Sequence, residues 1–230
     1  MRTLAAVLSA VLLISVAAYV WAGYTVEQIK AKLKQKVEER WDCTGLKIDL
    51  ELYPDPAKLD QGWFKSVTIS ATSATRRDVR LAPVVTKVWD VRLDLNKLFR
   101  QDEVVCLQYG RRYYYTKLSE TDLNRALRLK HDMPIEDVRA TLANGLITFT
   151  GNYQLGWGHK LLLAGRLVPK NRYEIHFVPT KASVNGIPIP AGPLRTLLNK
   201  LNPLLDMKDV PLQPEVRSIR IYSGVLEVQG

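Results

Sequence analysis

Nucleophilic or metal chemistry in this chain would have to start from three histidines and two cysteines. His131, His159 and His176 share no metal-ligand spacing with one another or with Cys43 and Cys106. The cysteines lack the CxxC spacing of a zinc ribbon or a dithiol redox centre. His176 alternates with Ile175 and Phe177 in a strand pattern, which favours a solvent-facing or hydrogen-bonded side chain over a ligand. No GxSxG, HExxH or P-loop motif is present. Gly156-Trp157-Gly158 is a turn signal, too short to cradle a nucleotide. The adjacent carboxylates Glu38-Glu39 and Glu136-Asp137 point apart on a helix or a strand, so neither pair makes an acid–base couple. Cys43 and Cys106 would close a loop worth about 4 kcal/mol if they paired in an oxidising compartment; two buried free thiols is the equal alternative. These residues predict no catalytic site, no metal and no cofactor, and hence no enzyme.

Binding chemistry is better represented. The net charge of +10 and pI of about 9.6 favour anionic partners. Arg111-Arg112 before Tyr113-Tyr114-Tyr115 reads either as a basic aromatic surface for nucleic acid or as an exposed strand with one aromatic face turned inward. No recognised nucleic-acid motif accompanies it, so no nucleic-acid partner is expected. Lys30, Lys32, Lys34 and Lys36 are expected to contact an anionic membrane surface, at about 1 kcal/mol per charge; the alternative is a solvated helix face. Leu194, Leu197, Leu198, Leu201, Leu204 and Leu205 form a leucine stripe. Such a stripe is usually core, but Leu194, Leu197, Leu198 and Leu201 are the candidate lipid-binding residues, because each CH₂ buried contributes about 0.8 kcal/mol.

The first residues bear on location. Arg2 precedes an apolar run from Leu4 to Ala22 without a charge. At about 1.5 Å per residue this run is just long enough to cross a bilayer. It also reads as a signal peptide, with cleavage sites at Val16-Ala17-Ala18 or Val20-Trp21-Ala22. Residues 1–23 are therefore read as signal peptide or membrane anchor, and 24–230 as the domain. Arg2 favours the amino terminus inside, whereas the lysines after the run pull the other way. The expected placement is outside the plasma membrane.

The elements that must position these residues follow from caps and periodicity. Apolar content of 47% against 24% charged is that of a globular chain. Thr25 with Gln28 makes a capping box, and Val26, Ile29, Leu33 and Val37 form one apolar stripe, ending at Gly45. Leu46 to Leu52 alternates as a strand, Pro54-Asp55-Pro56 breaks it, and another strand follows Gly62. Ser119 and Asp122 cap a second helix. The third helix covers about Leu194 to Leu205, with Pro203 kinking or ending it. Asn144-Gly145 and Ser223-Gly224 each join two apolar runs as a hairpin. Leu142 to Gly151 aligns without gaps on Ile221 to Gly230, each copy after a helix and a proline, and the first helix with its two strands is a looser third copy. Repeated helix-plus-hairpin units predict an α+β fold: a long, curved, mostly antiparallel sheet with about three helices on one face.

Several of these segments resemble the LmeA-like phospholipid-binding family of bacterial envelope proteins. The carrying residues are Leu118 to Ala126, Asn144-Gly145 with Gly151, Phe177-Val-Pro179, Val184 to Pro190 and Ser223 to Leu226. Gly62 with Val67-Thr-Ile69, and Asp90 to Asp94, agree more loosely. The resemblance implies an exported or anchored protein that binds phospholipid without catalysis: acyl chains between helices and curved sheet, basic residues at the rim. The rival expectation is an anchored structural or partner-binding envelope protein with a filled core.

Overall fold

The computed structural model describes residues 23–76, 78–129, 135–153, 159–209 and 215–230. The amino-terminal half contains α1 (Val26–Glu38), β1 (Asp42–Thr44), β2 (Lys47–Glu51), α2 (Pro56–Asp60), β3 (Trp63–Ala71), β4 (Ser73–Arg76), β5 (Val79–Leu81) and β6 (Val84–Leu93). A π-helical turn (Lys97–Gln101), β7 (Cys106–Gln108), β8 (Arg112–Ser119) and α3 (Glu120–Arg128) follow. The remainder is β9 (Ile135–Ala143), β10 (Leu146–Tyr153), β11 (His159–Pro169), β12 (Glu174–Val184), β13 (Ile187–Pro188), α4 (Ala191–Leu201), β14 (Leu205–Asp206), β15 (Ser218–Tyr222) and β16 (Val225–Gln229). The expected signal or anchor segment, His131 and Gly156-Trp157-Gly158 lie outside the described residues. Among those described, no helix is long and apolar enough to cross a membrane.

Local chemistry places the helices. The Thr25 hydroxyl accepts from the Gln28 N–H at 3.2 Å, and the Gln28 side-chain oxygen accepts from the Thr25 N–H at 2.9 Å, so a closed capping box opens α1. Ser119 accepts from the Asp122 N–H at 3.0 Å and opens α3. The Pro54-Asp55-Pro56 break is also a helix start: Asp55 caps Ala57 N–H, and Pro56 fills a first-turn position that needs no donor. α1 stops at Glu38, short of the expected Gly45, because Asp42–Thr44 leaves to pair with β4; Gly45 (φ +65°) makes the turn into β2. α4 runs from Ala191 to Leu201 and ends before Pro203. Leu205 is thereby released to pair with Ile175.

The α+β class with antiparallel pairing and three substantial helices is what the structure shows. Hydrogen bonding divides the strands among three sheets. The first has the order β15-β16-β8-β6-β3-β2 with β7 also on β6; the second has β13-β12-β11-β10-β9 with β14 on β12; a small third has β1-β4-β5. Both expected hairpins form, but β9–β10 belongs to the second sheet and β15–β16 to the first. They are tied at Glu120. Its N–H donates to Gly224 O, its carboxylate accepts from Leu142 N–H, and Gly224 N–H donates to Leu142 O.

Two cores result. In one, Ile29, Leu33 and Val37 of α1 lie on Ile48, Val67, Ile69, Val88 and Val91 of the first sheet. In the other, α3 and α4 pack with the second sheet around Phe149 and Phe177, whose rings meet edge-on at 5.1 Å.

Candidate functional site

A cleft of about 560 Å³ lies between α1 and the inner face of the first sheet, within the usual size range of ligand sites. Val67 and Ile69 on β3 and Val91 and Leu93 on β6 build its floor by alternation, and Val88 joins them because Asp90 (φ +52°) breaks the alternation of β6 between Val88 and Val91. Leu33 and Val37 of α1 wall it, because they fall one helical turn apart on the buried stripe. The loop from Asp102 to Cys106 forms the opposite wall, contributing Val104 and Val105. Val37 and Ile69 also line a narrow apolar slit that continues toward Trp41, Cys43, Ala74 and Leu81.

The mouth is charged. Lys36, Arg40, Arg112 and Lys208 border it, with Glu39, Asp102 and Glu103. Lys36 bonds both Glu39 and Asp102, and Lys32 Nζ lies 2.5 Å from Asp102 Oδ1. These two lysines hold the Asp102 carboxyl below the usual carboxylate range, with the Lys32 hydrogen bond the larger cause. Asp102, in turn, raises the Lys36 ammonium above the ordinary lysine value, with Glu39 second. Arg112 Cζ sits 3.7 Å from the Tyr109 ring centroid, a cation–π contact at the rim, and its guanidinium is 3.8 Å from Glu215. Arg40 and Lys208 make no ion pair among the described residues.

The candidates from sequence fall in different places. Leu197 and Leu201 are 2% and 1% exposed in the core beneath α4, Leu194 and Leu198 are half-buried against it, and none of the four lines the cleft. Of the helix lysines only Lys36 does. Lys30 pairs with Glu27 and Lys34 with Glu38, so each of the four lysines faces a carboxylate. His176 bonds Glu174 at 3.0 Å, and His159 contacts Asn185 at 3.2 Å. Cys43 and Cys106 are both free thiols in the structure, and burial is the main cause raising each thiol's pKa.

The profile of the LmeA-like phospholipid-binding family matches residues 16–230. The chain belongs to that family. No curated protein and no solved structure matches it. In this LmeA-like protein the cleft combines apolar residues of α1 and the first sheet with the charged residues Lys36, Glu39, Arg40, Asp102, Glu103, Arg112 and Lys208. Sequence reasoning identified the α1 residues only as one apolar stripe and missed Arg40, Asp102, Val104, Tyr109, Tyr173 and Lys208 as site residues. The available signal was a β-branched sheet face opposite a helix whose last turns are basic.

Proposed function

We propose that this LmeA-like protein is a non-catalytic phospholipid-binding module of the bacterial envelope that seats an acyl chain between α1 and the first sheet. The observation that carries this is the cleft's polarity: Val67, Val88, Val91 and Leu93 on the floor, Arg40, Arg112 and Lys208 at the mouth. Arg40 and Lys208 supply the donors for the phosphate, since Lys36 is already engaged by two carboxylates. Each CH₂ that enters contributes about 0.8 kcal/mol, so partial entry of one chain suffices for retention. The slit beyond Val37 and Ile69 provides depth for the chain's far end. Residues 1–22, with the uncharged run Leu4–Ala22, would export the domain or hold it on the outer side of the plasma membrane.

Native mass spectrometry of the purified chain, followed by extraction and lipid analysis, tests the reading. Phospholipid should co-purify, and an Arg40→Gln/Lys208→Gln variant should retain less of it. Protein free of lipid that also takes up none from vesicles would overturn the proposal.

A further inference from the structure

The rim beside the cleft carries an unusual run of exposed apolar and aromatic side chains: Val104 and Leu107, 41% and 53% exposed, then Tyr109 and Tyr113, 47% and 41% exposed. Val104 and Tyr109 line the cleft itself. Arg111 and Tyr113 lie on the other face of the sheet, because β8 alternates and Tyr113 is the register partner of Lys87 on β6. Trp89 lies on that same outer face, next along β6 from Lys87 in the alternation. Its N–H donates to Arg111 O, its carbonyl accepts from Gly110 N–H, and its ring is capped by Arg111 at 4.3 Å and Lys87 at 5.1 Å. Arg92, opposite Gln108 in register, extends the row and stands 5.9 Å from the Trp63 ring. Among the described residues no carboxylate forms an ion pair with Lys87, Arg92 or Arg111.

We infer that this strip, Val104–Tyr113 with Lys87, Trp89 and Arg92, is the surface that docks on an anionic bilayer, and that lipid enters the cleft across it. The inference rests on the phospholipid-binding reading and deepens it. The occupant follows from the chemistry. Aromatic rings with cations on their faces suit the headgroup level, where one side of each group is apolar and the other wet. Among the described residues Lys87, Arg92 and Arg111 make no ion pair, although Glu51 feels the charge of Lys87, and they complement anionic headgroups, as does the net charge of +10. The strip is continuous with the cleft mouth, so a lipid leaving the leaflet passes Val104 and Tyr109 without crossing water. The lysines of α1 do not compete for this role, because Glu27, Glu38, Glu39 and Asp102 offset them.

Hydrogen–deuterium exchange on the full chain tests the strip. The chain is mixed with vesicles of phosphatidylcholine alone, or of phosphatidylcholine with about 30% phosphatidylglycerol. Exchange across Val104–Tyr113 should slow severalfold with the anionic vesicles and little with the neutral ones, and added salt should reverse it. A Lys87→Gln/Arg92→Gln/Arg111→Gln variant should lose the protection, and Leu107→Asp should lose it without altering the charge count on β6. Both variants should take up phospholipid from anionic vesicles more slowly yet hold it as well once loaded, since none of these residues lines the cleft, and wild-type uptake rates would overturn entry across the strip. Equal protection by both vesicles, protection confined to α1, or stronger protection by a single-stranded oligonucleotide overturns the docking surface. Lipid content, read on the same preparations, reports on the cleft separately.

Discussion

Lys32 on α1 reaches Asp102 at 2.5 Å, so the helix that walls the cleft also holds the loop that forms its opposite wall. Lys36 grips the same carboxylate from one turn further along. Asp102 has φ +62°, a conformation that asparagine adopts as readily as aspartate, so Asp102→Asn removes the charge without backbone strain. We expect the loop at Val104–Cys106 to open in this variant, with faster amide exchange and faster phospholipid release at neutral pH. The melting temperature should hardly move, because exposed ion pairs contribute little. The sign with pH follows from the depressed carboxyl. Its contribution is full above the ordinary carboxylate pKa of about 4 and is lost only as pH falls through the lower folded value. Wild-type release should therefore stay slow through mild acid and accelerate only below about pH 4. An Asp102→Asn variant with wild-type release at neutral pH would show that the clamp does not gate the cleft.

Val88 separates cleft from core. It sits mid-floor, paired with Val67 on β3 and Arg112 on β8. Val88 is itself 2% exposed, and Val88→Phe adds bulk beside the cleft of about 560 Å³. Co-purified phospholipid should fall sharply at little cost in melting temperature. If the space is closed in solution, overpacking should instead cost about 1–3 kcal/mol with lipid content unchanged.

The local rules in the sequence were legible wherever one residue decides a turn. Thr25 and Ser119 cap, Asn144-Gly145 and Ser223-Gly224 turn, and alternation marks β2, β3, β6 and β11. Sheet membership was not legible. The copies at Leu142–Gly151 and Ile221–Gly230 are alike in pattern, yet one pairs with β11 and the other with β8, a choice made by long-range contacts. The run from Val104 to Thr116 forms two strands, β7 and β8, and Gly110 between them lies close against Asp90 (φ +52°) and the Trp89 carbonyl. The cleft was hidden for a similar reason. A valine on a sheet face has the same pattern whether a side chain or a ligand covers it: Val88 and Val91 border the cleft although they are 2% and 1% exposed.

The leucines of α4 should behave as core. Leu201 is almost fully buried, and the residue after it fastens the helix end to β12: Asn202 accepts from Phe177 N–H at 2.8 Å and donates to Phe177 O at 3.0 Å. Leu201→Ala should cost about 2–5 kcal/mol. The folded fraction should keep its phospholipid, as judged by lipid-to-protein ratio. Leu198→Trp, at a half-buried position, tests the same helix without hollowing the core. Blocked lipid uptake at unchanged stability there would bring α4 into the binding site.

Cys106 offers a reporter native to the cleft. It lines the open volume, and its thiol donates to Gln108 O at 3.2 Å. Burial raises its pKa, and this outweighs the opposing Gln108 hydrogen bond and Arg112 charge. The thiolate is the nucleophile, so alkylation by iodoacetamide at neutral pH should be slower than that of a free cysteine. The rate should climb with pH past the point where an ordinary thiol has levelled off. Bound phospholipid should slow it further by covering the floor beside Val91 and Leu93, and delipidation should restore it. Cys43, in the narrow slit, is raised by burial too and by the charges of Asp42 and Glu38. It should lag Cys106 in lipid-free protein, because the slit admits little reagent. Peptide-level mass spectrometry over a pH series, with and without phosphatidylglycerol vesicles, reads both sites at once. A Cys106 rate indifferent to lipid at every pH would move the acyl chain away from this wall of the cleft.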